Sequence, residues 1–305
     1  MSAPITLETG LQADDQVLPF RIDGQDVRGR AVRLGPAAHE ILSKHEYAAP
    51  VDRLVGELAA LTALLGSVMK FGDGILTVQI KGKGPVPMMV ADFHSGGRIR
   101  AYAEVDETKL NALGRHPSFH ALTGAGGYLA LTLDQGPETE RYQGIVELHG
   151  QTLGDCAVEY FTTSEQIPTR LRLAAGRDRE GSWRAGGIMV QYLPHGDEEE
   201  GAPRAATFGD RDLEPFHRAA MLMETVRDDE LLGLPLPDLL FRLFHEDGVR
   251  VFHPQPVAFG CRCDRDRIGA VLARYPREQL MEMAEDDGLI TVTCQFCASH
   301  YRFEP

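Results

Sequence analysis

Four of the five cysteines in this 305-residue chain stand in two close pairs near one end. Cys261 and Cys263 lie in AFGCRCDRDRIGAV, and Cys294 and Cys297 lie in TVTCQFCASHYRF. C-x-C followed at a distance by C-x-x-C is a metal-binding spacing, and four thiolates complete the tetrahedral shell of a zinc ion. The C-x-x-C pair can turn both sulfurs toward one ion across a tight turn, and the C-x-C pair can do so from an extended or bulged segment. The plainest chemistry is a structural zinc knuckle. A thioredoxin-like redox site needs βαβ surroundings that this tail lacks. His300 follows Cys297 by three residues and is a possible alternate ligand, but four sulfurs already fill the shell, so it is read as lying off the metal. Cys156 has apolar helical neighbours and reads as an inert core thiol.

A second chemistry lies in the same residues. The segment from about Phe259 to Pro305 is too short to bury a sufficient core alone. Metal binding must then supply its folding free energy, about 10–16 kcal/mol in zinc-finger peptides. Zinc keeps thiols deprotonated and so open to oxidants. Arg262, Arg265 and Arg267 are candidates for favouring the thiolates. The four cysteines can thus be a zinc clamp when reduced and two disulfides when oxidised, and strained disulfides are the labile, regulatory kind.

These groups must be positioned by the rest of the chain. The formal net charge is −14, which argues against a generic nucleic-acid binder. No apolar run approaches the ~20 residues of a membrane helix. The start, MSAPITLETGLQADDQ, has neither the basic nor the apolar part of a secretory signal, so the cytoplasm is the expected compartment. A hairpin is expected around Asp23-Gly24. Residues 51–69 have helical period and are apolar on nearly all sides, which predicts a buried helix. Strand-like runs begin at Ile75, Val86, Arg98, Tyr128 and Tyr142, forming an antiparallel meander with that helix over one face. In the third run Ile99, Ala101, Ala103 and Val105 alternate with Arg100, Tyr102 and Glu104. Residues 153–167 read as a helix ending before Pro168, and TRLRLAAG and GGIMVQYL as closing strands.

The fold class is therefore α+β, with four regions. Residues 1–193 form a core domain of antiparallel-rich sheet covered by helices. Residues 194–212 are an acidic, Gly- and Pro-rich excursion. Residues 213–258 are a helical linker, and residues 259–305 a small zinc-binding domain. No P-loop, H-E-x-x-H or G-x-S-x-G is present, and the chain is not expected to be an enzyme. A zinc-ribbon nucleic-acid binder and a thiol–disulfide oxidoreductase are the competing readings.

The chain resembles the redox-regulated heat-shock protein 33 family of bacterial chaperones. The resemblance rests on the cysteine spacing and on YFTTSEQIPTRLRL, ETVRDDELLGLP, LLFRLFHEDGVRVFHPQPVAFGCRC and VTCQFCASHYRF. It implies one Zn(2+) per chain on Cys261, Cys263, Cys294 and Cys297 in reducing conditions. On oxidation it implies zinc release and disulfides Cys261–Cys263 and Cys294–Cys297. The tail and linker then unfold, and the protein holds unfolding clients without ATP, commonly as a homodimer. Neither nucleic acid nor membrane is an implied partner. The acidic stretch at Asp197 to Glu200 is longer than this resemblance leads one to expect, and the family often continues past Phe303 with a further short helix. Both departures leave the metal ligands intact and bear on how the linker docks. Within the linker, Phe216, Met221, Met223, Leu240, Phe241 and Phe244 are the expected client-binding residues. Apolar, Met-rich helices suit promiscuous surfaces, although ordinary amphipathic packing gives the same pattern.

Overall fold

A computed structural model describes residues 14–68, 74–136, 139–193 and 213–305. The acidic excursion 194–212, the first 13 residues and the last residue of the expected helix 51–69 lie outside the described residues.

Strands β1 (Gln16–Ile22) and β2 (Val27–Leu34) form the first hairpin, turning at Gly24, whose φ is 69°. A short helix α1 (Pro36–Ser43) leads to α2 (Ala49–Gly66). The meander follows as β3 (Ile75–Lys81), β4 (Met88–His94) and β5 (Arg98–Glu104). Two one-turn helices, α3 (Glu107–Asn111) and α4 (Phe119–Thr123), precede β6 (Tyr128–Asp134) and β7 (Tyr142–Glu147). Helix α5 (Leu153–Tyr160) starts in a capping box between Thr152 and Asp155 and runs into a π-helical turn at Phe161–Glu165. Strands β8 (Thr169–Arg177) and β9 (Trp183–Tyr192) close the core.

The five runs expected to form an antiparallel meander share one six-stranded sheet, while the first hairpin and the closing strands form a second six-stranded sheet rather than extending the first. One joins β1, β2, β9 and β8 in that order; the other runs β5-β4-β3-β6-β7. Helix α2 lies between them, against β2, β8 and β9 on one side and β3, β4 and β5 on the other. This explains its all-round apolarity: a helix with sheets on two sides has little face left for water. Gly56 and Gly66 permit the close approach, since a Cβ at Gly66 would meet the Phe93 ring at 2.3 Å.

The linker is three helices, α6 (Glu214–Glu224), α7 (Asp228–Gly233) and α8 (Leu236–Phe244). They cover the outer face of the first sheet and build a second core with Leu18, Phe20, Ile22, Ala31, Ile188 and Val190. The end of the region read as helical linker is extended instead. Strand β10 (Val249–Val251) and strand β11 (Gln255–Pro256) pair with β1, and β12 (Ala258–Phe259) runs parallel to β5. The linker thus adds strands to both sheets before the first cysteine pair. The tail holds α9 (Arg265–Leu272), α10 (Arg277–Glu282) and a hairpin of β13 (Ile290–Thr293) with β14 (His300–Phe303).

Candidate metal centre

Each cysteine pair is fixed by a different local device. Gly260 donates to the Ile99 carbonyl (3.0 Å), which carries the β12 pairing up to Cys261. Asp264 then caps α9 by accepting from the Arg267 N–H, so Cys263 stands just before a helix start. The second pair sits in the loop of the β13–β14 hairpin. There Cys294 N–H donates to the Ser299 carbonyl (2.9 Å) and Ala298 N–H to the Cys294 carbonyl (2.8 Å). Ala298 adopts φ 54°, the left-handed conformation that closes this turn.

The four sulfurs converge within 4.8 Å of one another. Cys261 and Cys294 Sγ are 3.6 Å apart, and Cys263 and Cys297 Sγ are 3.3 Å apart. Ligands at the usual Zn–S length of about 2.3 Å stand roughly 3.8 Å apart on a tetrahedron. The cluster therefore fits a zinc ion in size and donor type. His300 is exposed and its Nδ1 pairs with the Thr293 hydroxyl at 2.9 Å, away from the sulfurs. Cys156 is buried among apolar residues, and burial pushes its thiol up to about 11.

The thiols differ in their surroundings. Burial raises Cys297, but the Ser299 hydroxyl, 3.2 Å from its sulfur, and the neighbouring thiols bring it down to about 7. Burial raises Cys294. Burial also lifts Cys263 to about 12, against the Tyr301 hydroxyl that donates to its sulfur at 3.2 Å. Thiols this close cannot all ionise without a cation, and a bound divalent ion would hold all four deprotonated.

The arginine against the cluster is not one the tail supplies. Arg267 pairs with Asp264, and Arg265 lies over the Phe303 ring. Instead Arg100, from β5, donates to Cys261 Sγ at 3.7 Å. Its guanidinium also covers the ring of Phe296, which sits between Cys294 and Cys297, and Tyr102 meets that ring edge-on at 5.3 Å. His45, stacked on Tyr47, faces the Phe296 backbone. The alternation in β5 was legible, but its polar side faces the cysteine module.

Of the linker residues singled out, Phe216, Met223, Leu240 and Phe244 are buried in the second core. Met221 and Phe241 point outward, 60% and 65% exposed. Arg33, only 3% exposed, donates to the Leu234 carbonyl at the end of α7 and pairs with Asp14. Arg242 and Glu230 add an ion pair at 2.6 Å within the linker.

Among the described residues no helix is long and apolar enough to cross a membrane. The family profile described as Hsp33 protein matches residues 15–304. A 33 kDa chaperonin of Caulobacter vibrioides is 43% identical over 99% of this chain and 98% of its own. One from Serratia proteamaculans is 36% identical over 95% of this chain and 92% of its own. The crystal structure of the 33 kDa chaperonin (Heat shock protein 33 homolog) from Thermotoga maritima shares the fold, with a TM-score of 0.72 over 95% of both chains at 22% identity. By this match along nearly its whole length, the chain belongs to the Hsp33 family.

Proposed function

We propose that this protein is a redox-regulated, ATP-independent holdase of the cytoplasm, held idle by zinc on Cys261, Cys263, Cys294 and Cys297. The observation that carries this reading is the poverty of the tail's own core. Across residues 259–305 only Ile290 and Cys297 are buried, and α9 and α10 bury nothing. A bound zinc ion would keep the four sulfurs as thiolates and supply the free energy that such a core cannot. Cysteines that lose their thiolates lose that support, and the module unfolds.

The oxidation balances on the cysteines themselves. The pairs Cys261–Cys263 and Cys294–Cys297, as thiolates, would each give up two electrons to one peroxide, which takes two protons from solvent and leaves as two waters, and a zinc ion held by them would be released. Once the tail unfolds, β12 keeps only its short pairing with β5 and no folded segment follows it, so the strands and helices upstream are less firmly anchored. Release of α6 to α8 uncovers Phe216, Met223, Leu240 and Phe244 together with the sheet face of Leu18, Phe20 and Ile188. Met221 and Phe241 are accessible beforehand and extend this surface. The oxidised protein holds unfolded clients there, as a homodimer, and its acidity keeps the loaded complex soluble. Nucleic acid and membranes are not its partners.

The test is light scattering from a heat-denatured client. Protein treated with peroxide at mild heat is expected to suppress scattering at near-stoichiometric amounts, while reduced, zinc-loaded protein leaves it unchanged. Equal suppression by both forms would refute redox control. No suppression by either would refute the holdase reading.

A further inference from the structure

We propose that Arg100 is a positioning residue for the cysteine centre, holding the module on the core sheet and restraining the reactivity of Cys261; this rests on the redox-switch reading above. The relevant residues form one line across three strands. Thr77 and Asp92 are directly opposite in the β3–β4 pair, and Asp92 and Arg100 in the β4–β5 pair. The Thr77 hydroxyl donates to Asp92 Oδ1 at 2.7 Å. Arg100 Nε and Nη2 donate to Asp92 Oδ2 at 2.9 and 2.6 Å. Two of the three guanidinium nitrogens are thereby fixed, and the third, Nη1, is aimed at Cys261. The face of the same planar group lies 3.8 Å from the centroid of Phe296.

A surface ion pair needs none of this. Arg100 is 13% exposed and Asp92 8% as side chains, with every part of the guanidinium in use. One residue of the core thus touches both cysteine segments: the sulfur of the first pair and the ring enclosed by the second. A donor to a ligand sulfur withdraws electron density from it, which slows attack on an oxidant, and groups of this kind tune metal sites strongly. The same contacts hold β12 along β5. A disulfide sulfur is a poorer acceptor than a thiolate, so oxidation of Cys261 weakens the contact and the docking together. Lysine cannot replace this group, because its ammonium is a point donor without the fork or the stacking plane.

The experiment uses zinc-loaded full-length protein and a colorimetric zinc chelator, first in reducing buffer and then with peroxide. Arg100→Gln is expected to lose zinc about tenfold faster in both, with Arg100→Lys closer to the glutamine variant than to wild type. Amide exchange at Ala258 and Gly260, which bond to the Gly97 and Ile99 carbonyls, should rise in parallel. Asp92→Asn leaves the guanidinium but removes its anchor, and should shift both readouts in the same direction by a smaller factor. It keeps the test open should Arg100→Gln fold poorly. A purely structural role in the sheet would lower the melting temperature and leave the zinc-loss rate unchanged. Wild-type rates in folded variants would overturn the proposal. The reducing-buffer arm reads Arg100 alone. A wild type that keeps its zinc under peroxide would instead refute the redox reading.

Discussion

The guanidinium carbon of Arg100 lies 3.8 Å from the centre of the Phe296 ring, joining the core sheet to the tip of the second cysteine knuckle. With Tyr102 at its edge, this ring is the tail's aromatic anchor on the core. Phe296→Ala removes a cation–π and an aromatic contact, each worth about 0.5–1.5 kcal/mol. It should leave zinc stoichiometry at one per chain while amides of β12 exchange roughly tenfold faster. Unchanged exchange would mean that the tail docks by other contacts.

Removing one ligand tests what holds the tail. Cys294→Ser should abolish tight zinc binding and cost the tail its helices α9 and α10, which have no buried residues to fall back on. Exchange protection in the first core, built on α2 and both sheets, should persist. Metal analysis and segment-resolved hydrogen exchange read both effects. A folded tail without metal would contradict the account of its stability.

The linker's hold on the sheet can be loosened without touching a cysteine. The Phe20 and Phe244 rings stack at 5.6 Å, both buried. Phe244→Ala should cost about 3–5 kcal/mol, as large-to-small core changes do. Limited proteolysis should then cut within α6 to α8, and the reduced protein should show partial suppression of client aggregation. Proteolysis without suppression would place the client surface elsewhere.

Two acids of α2, one buried and one half-buried, make the fold sensitive to pH. Asp52 is 4% exposed, its Oδ1 has no hydrogen-bond partner, and burial raises its pKa from 3.8 to about 7 against the pull of Arg177. The folded state therefore binds this proton where the unfolded state has released it. Stability is full below pH 4 for this group and declines as pH rises toward 7. Glu57, on the same helix, is raised to about 7 by burial and by Asp228. Asp52→Asn should raise stability at pH 8 by about 1–2 kcal/mol, allowing for solvent screening, and change little at pH 4. Denaturant unfolding at the two pH values checks the sign; an equal gain at both would show that the carboxylate is not the cause.

How far the chain could be read follows from where its information sits. The convergence of the four cysteines was legible because the spacing within each pair is local. The buried helix and most strands were legible because periodicity is local too, as at Ile99, Ala101 and Ala103. The division into two sheets was not, since it depends on which strands pair across α2. Strands β10 to β12 are two or three residues long, too short to carry a period, and they exist because β1 and β5 offer open edges. Arg100 reads in the sequence only as part of a strand's polar side for the same reason: such an arginine is solvent-facing until a distant segment covers it. Phe296 carried the best available signal, a large aromatic enclosed by two cysteines.

The most direct test of the central claim follows three quantities in one peroxide time course: zinc released, exchange protection of α6 to α8, and client aggregation. The account predicts that zinc release comes first or coincides with loss of linker protection, and that suppression of aggregation rises with the latter. Suppression that rises while zinc stays bound, or zinc loss that leaves the linker protected and the client aggregating, would contradict it.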